Sequence, residues 1–126
     1  MAQSLEAIDD GIEQTHRWID ELLDETDWED RDKAYIGLRA VLLTIRDRLS
    51  VEEAALFGAE LPTLLRGVYF EGWRPGDRPQ HVPTRREFLR SVSYRLTAAG
   101  EREDAEALTR AVFRVLARNL PAASAA

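Results

Sequence analysis

Apolar residues in this chain recur at steps of three, four and seven, and no segment alternates convincingly at two. That spacing places them on one face of a 3.6-residue helix and leaves no half-buried strand. The chain must therefore fold as helices that cover one another's apolar faces. In the first segment, about 3–26, the stripe runs through Leu5, Ile8, Ile12, Ile19, Leu22 and Leu23, with Thr15 in register and acids opposite. Asp27, with Asp30 three residues on, reads as the N-cap of a second helix, about 28–48, which buries Ala34, Leu38, Val41 and Leu42.

Punctuation between the stripes fixes the remaining elements. Ser50-Val51-Glu52-Glu53 and Thr84-Arg85-Arg86-Glu87 are capping boxes, in which a hydroxyl and a carboxylate satisfy two orphan amides reciprocally. They open helices at about 51–60 and 85–98. Leu61-Pro62 stops the third helix and starts a short fourth, about 62–70. Residues 71–83 hold three Pro and two Gly and read as a loop. Gly100 ends the fifth helix, and a sixth runs over about 102–119.

The reading is an all-α, compact bundle of about five to six helices in a single domain, 1–120, with a flexible tail at 121–126. Two pseudo-repeated helical units are expected, about 3–70 and 84–120, joined by the loop. The repeat rests on an offset of 71, which lays Arg39-Ala-Val-Leu42 over Arg110-Ala-Val-Phe113 and Ala34 over Ala105.

Function classes narrow by exclusion. With no Cys there is no disulfide framework, thiolate metal site or Cys nucleophile. Gly-x-Ser-x-Gly, Gly-x-Gly-x-x-Gly and P-loop patterns are missing, so no catalytic or cofactor-binding residues are assigned and no cofactor is expected. The acid run Asp20-Glu21…Asp24-Glu25…Asp27…Glu29-Asp30…Asp32 does not match a calcium loop: counted from Asp24, Glu29 stands at the Gly position and Tyr35 at the Glu position. It reads as a solvated face, with no metal assigned. His16 has Asp20 at i+4, the spacing of a common surface pair, and His81 lies in the loop; a single spacing assigns neither a metal nor a proton-transfer role. The amino-terminal residues do not form a secretory signal, and no apolar run would span a membrane, so the expected setting is the cytoplasm.

Charge is unevenly spread. Residues 1–36 carry a net −9 and residues 37–126 a net +3, within a total of −6. The negative total argues against nucleic acid as a partner. Two clusters are candidate interaction surfaces. Arg66, Tyr69 and Trp73 combine the side chains that dominate binding hot spots, although Trp73 also suits a plug over the core. Arg85, Arg86, Arg90 and Arg95 form a basic patch on the fifth helix whose natural partner is acidic, in this chain's first helix or in a neighbouring copy.

These residues resemble a bacterial family, "domain of unknown function 2267". The resemblance rests on three parts: the Arg39-Ala-Val-Leu helix with Leu49; the run Glu52-Glu53-Ala54, Leu56, Leu61-Pro62, Leu65-Arg66, Tyr69 and Gly72-Trp73; and Glu87-Phe88-Leu89 with Val92 and Arg110-Ala-Val-Phe. It covers about residues 15–120, and it implies a bacterial source and a helical fold but no activity. Similar proteins continue past Leu120-Pro121 with a further helix and Leu-Pro segment, so the second unit reads as truncated, with an apolar face for a second chain. The expected function is a non-enzymatic protein-interaction or self-associating domain, as a possible homodimer. The alternatives are a small-molecule-binding bundle near Trp18, Trp73 and Phe88 and, third, a divalent-metal-dependent enzyme.

Overall fold

A computed structural model describes residues 5–75 and 84–121. It contains six helices: α1 (Glu6–Thr26), α2 (Arg31–Arg48), α3 (Val51–Ala59), α4 (Thr63–Phe70), α5 (Arg85–Ala98) and α6 (Ala105–Asn119). No strand occurs among the described residues. Residues 76–83, with His81, and residues 122–126 of the expected tail lie outside them.

The helix boundaries follow from their caps. Both capping boxes form: Ser50 Oγ accepts from Glu53 N at 3.1 Å, and Thr84 Oγ1 accepts from Glu87 N at 3.1 Å. Gly100, at φ 86°, closes α5 in a left-handed turn, with Gly100 N donating to Thr97 O and Glu101 N to Leu96 O. One expectation is corrected. Asp27 does not cap α2; it ends α1 in the left-handed region at φ 62°, and Asp30 caps α2 by accepting from the amides of Asp32 and Lys33. The chain uses the intervening residues to turn and to set Trp28, half-buried, against the core.

Packing is organised around α2, which touches each of the other five helices. It is correspondingly buried almost all round, from Gly37 and Leu38 through Ala40–Thr44 to Arg46. The core joins Trp18 and Leu22 of α1 to Leu38 and Leu42 of α2, and takes in Leu65 and Tyr69 of α4, Val92 of α5 and Val112 of α6. At Gly58 the third and fourth helices meet so closely that a Cβ would stand 2.4 Å from Phe70 Cζ and 2.8 Å from Tyr69 Cε2.

The acidic first helix is held to α6 by charge. Glu25 and Glu21 receive Arg118, Arg114 reaches Glu25 at 3.5 Å, and Asn119 Nδ2 donates to Glu21 at 2.9 Å. The hydrogen bond from Arg118, aided by the charges of Arg118 and Arg114 against some desolvation, holds the Glu25 carboxyl below its ordinary value of 4.5. The sign follows from linkage: the unfolded chain takes the proton more readily, so this contribution is whole above the ordinary value and fades as pH falls toward the lowered one. Thermal melts below pH 4.5 should therefore show part of the acid loss of stability disappearing in Glu25→Gln. An unchanged pH profile in that variant would show that the pair contributes nothing. The pair is exposed, and its effect should shrink in salt.

Candidate docking face

Of the two interaction clusters expected from sequence, the one on α4 is largely consumed by the fold. Tyr69 is fully buried, and its hydroxyl donates to Ala54 O at 2.9 Å; burial pushes its phenol well above the usual tyrosine range. It is a core residue, which corrects its assignment to a surface. Arg66 Nη2 donates to Ala59 O at 3.1 Å and Leu61 O at 3.0 Å, closing the end of α3. Trp73 is half-buried, its ring 5.2 Å from that of Phe70, at the edge of a stack that continues through Tyr69 to Phe57. Trp73 thus packs as an edge plug. The expected pocket near Trp18, Trp73 and Phe88 also divides: Trp18 is inside the core at 1% exposure, while Phe88 lines a separate groove on α5 and α6.

That groove brings polar and apolar side chains together at the surface. Its volume is about 490 Å³, and its walls are Phe88 and Leu89 of α5 and Phe113 of α6. The two phenyl rings stand edge to face with centroids 6.4 Å apart. Phe113 remains 48% exposed. The Thr84–Glu87 box fixes where α5 begins, so Arg85 projects from its first turn to the rim. There Glu106 is clasped between Arg85 Nη2 at 2.5 Å and Arg110 Nη2 at 2.8 Å. Arg48, from α2, closes the inner end, where its Nη2 donates to Ser91 Oγ at 2.7 Å.

Two polar atoms in this lining are unsatisfied. Thr109 is 8% exposed and its Oγ1 has no hydrogen-bond partner; the Nε of Arg48 is buried and unpartnered too. A buried donor without an acceptor costs about 1–3 kcal/mol, and both atoms lie behind the groove's lining, out of contact with solvent. Three guanidiniums face one carboxylate, which leaves the groove cationic. It can therefore accept an apolar body carrying acceptor oxygens or negative charge. Arg86 and Arg90 are exposed on α5 near the groove's arginines in sequence, but they do not line it, and Arg95 is turned to α2, where it donates to Thr44 Oγ1 at 2.7 Å and Asp47 Oδ2 at 2.6 Å.

Sequence reasoning missed Thr109, Arg110, Phe113 and Arg48. The offset of 71 held one signal: Phe113 falls opposite Leu42, which is fully buried. Equal register gives opposite burial because α2 is enclosed on every side and α6 is covered on one.

Among the described residues, no group of three or more His, Asp or Glu is arranged to hold a metal ion. Asp20, Glu21 and Glu25 of α1 are engaged by Arg31, Arg114 and Arg118, and His16 Nδ1 lies 2.7 Å from Arg31 Nη2. No helix among the described residues is long and apolar enough to cross a membrane.

The sequence profile of the family described as "Uncharacterized conserved protein (DUF2267)" matches residues 15–126. The chain belongs to this family. No curated protein matches it. In this DUF2267 member the matched span includes the whole groove, from Arg48 to Phe113, and leaves out the first two and a half turns of α1.

Proposed function

We propose that this DUF2267 protein is a non-enzymatic docking domain that receives an acidic, partly apolar partner surface in the α5–α6 groove. The observation that carries the reading is the coincidence, in one groove, of exposed Phe113 and an arginine rim. Each feature alone is ordinary on a protein surface. Together they offer an apolar anchor site with cations to steer a partner onto it.

Anilinonaphthalene sulfonate is a suitable probe, since it combines an aromatic body with one anionic head. The native protein should bind it saturably at one site. Phe113→Ser or Arg85→Glu should weaken that binding by about tenfold while leaving the helical circular dichroism unchanged. Non-saturable binding, or binding that both variants leave untouched, would defeat the reading.

A small-molecule site in the same groove is the second reading, favoured by its volume, which lies within the range of about 300–1,000 Å³ common for ligand pockets. It differs in one consequence. A free aromatic or aliphatic carboxylate should then raise the melting temperature in proportion to the logarithm of its concentration, with Phe113→Ser abolishing the rise.

A further inference from the structure

We propose that the partner received by the groove is a second copy of this chain, which inserts the amino-terminal tip of its α1. This rests on the docking-domain reading and supplies its occupant. Among the described residues the tip is an exposed apolar stripe of three side chains on one helix, whereas Leu56, Leu64 and Tyr94 are exposed on three different helices. Leu5, Ile8 and Ile12 are 64%, 57% and 42% exposed, and they stand at steps of three and four on one face. The same face continues through Thr15, Ile19 and Leu22, all buried. The stripe that packs α1 into the bundle thus runs on, uncovered, for about 10 Å of helix beyond it.

Charge selects the groove as the place for this tip. Glu6, Asp9, Asp10 and Glu13 flank the three apolar residues, and residues 5–14 contain no base. Two tips packed together would set these acids against each other. The groove offers the opposite sign: among the described residues Arg85 and Arg110 share the single carboxylate of Glu106, and Arg86 and Arg90 are exposed on α5. A carboxylate of the tip can accept from Arg85 or Arg110 at the rim while Ile8 and Ile12 meet Phe88, Leu89 and Phe113. Within one molecule the contact is barred, because α1 is an unbroken helix from Glu6 to Thr26 whose far half is held along α6 by Glu21 and Glu25. Between two molecules it can be made twice, tip to groove and groove to tip, which closes as a twofold dimer.

Sedimentation velocity on the full chain, over a concentration series at low and high salt, reads the outcome. The native protein should dimerise reversibly, and its dissociation constant should rise about tenfold or more between ~0.05 M and ~0.5 M salt. Ile8→Asp, which spoils the tip, and Phe113→Asp, which spoils the groove, should each weaken the homodimer by at least about tenfold. Mixed together, the two variants should form a one-to-one heterodimer, because the first retains a groove and the second retains a tip. If Phe113→Asp fails to fold, Arg85→Glu, on an exposed side chain, takes its place. A native chain that stays monomeric, or a dimer whose tip and groove variants do not complement, overturns the proposal. Should the monomeric chain still bind anilinonaphthalene sulfonate in a Phe113-dependent way, only the self-docking partner is lost and the docking-domain reading stands. Loss of both would remove both.

Discussion

Trp18→Ala should lower stability by about 3–5 kcal/mol, enough to bring a domain of ordinary stability close to unfolding. Trp18 is 1% exposed and heads the largest fully buried side chains, in the core layer where α1 meets the bundle. Alanine would leave a cavity that helices held by their own hydrogen bonds cannot close. The melting midpoint should drop by about 10 °C or more. Phenylalanine at this position should behave very differently. The indole Nε1 of Trp18 is buried without a partner, so Trp18→Phe removes an unsatisfied donor along with part of the ring. The two effects oppose, and the net cost should stay below about 1.5 kcal/mol. Denaturant titration of both variants checks this. Equal losses for alanine and phenylalanine would mean that the indole nitrogen is satisfied in solution.

Arg46→Ala should cost about 3 kcal/mol for a different reason. Arg46 is a charged side chain only 6% exposed, carried by the central helix into the end of α4. Its Nη1 donates to Tyr69 O at 3.0 Å and to Glu71 O at 2.6 Å, and its Nε donates to Asp47 Oδ1 at 2.8 Å. The carbonyls at the end of α4 are orphans of the helix, and this guanidinium serves two of them. Alanine would strand the buried Tyr69 carbonyl. Lysine can supply a charge but not the planar fork, so Arg46→Lys should recover less than half of the loss. Chemical denaturation of the two variants gives the ranking. A lysine variant as stable as the native protein would show that charge alone, without the paired geometry, closes α4.

The helices and their ends were legible in the sequence because their causes are local. Ser50 with Glu53, Thr84 with Glu87, and Gly100 each act within one turn, and each holds its place in the structure. Asp27 was misread for the same reason: an acid three residues before another fits a cap, but the turn that seats Trp28 shifts the cap to Asp30. What the sequence could not convey is which side of a helix the rest of the molecule covers. Tyr69 and Trp73 carry hot-spot chemistry, yet the close approach at Gly58 draws Tyr69 inward and leaves Trp73 packed on Phe70. Phe113 occupies the register of buried Leu42 and stays exposed. Ile8 and Ile12 share the stripe of Ile19 and Leu22, but the bundle ends before it reaches them. Burial of that kind is decided by long-range packing, which spacing along one helix does not encode. Of the candidate surface, Arg85 alone lines the groove.

The central claim is that the α5–α6 face, and not the α4 end, is where this protein docks. Amide chemical shifts recorded on the isotope-labelled chain during titration with anilinonaphthalene sulfonate test it most directly. The predicted result is that the perturbed amides cluster at residues 84–89 and 106–113, the lining of the groove. Perturbations centred instead on residues 62–73, around Arg66 and Trp73, would contradict the account and return the interaction surface to the α4 end of the bundle.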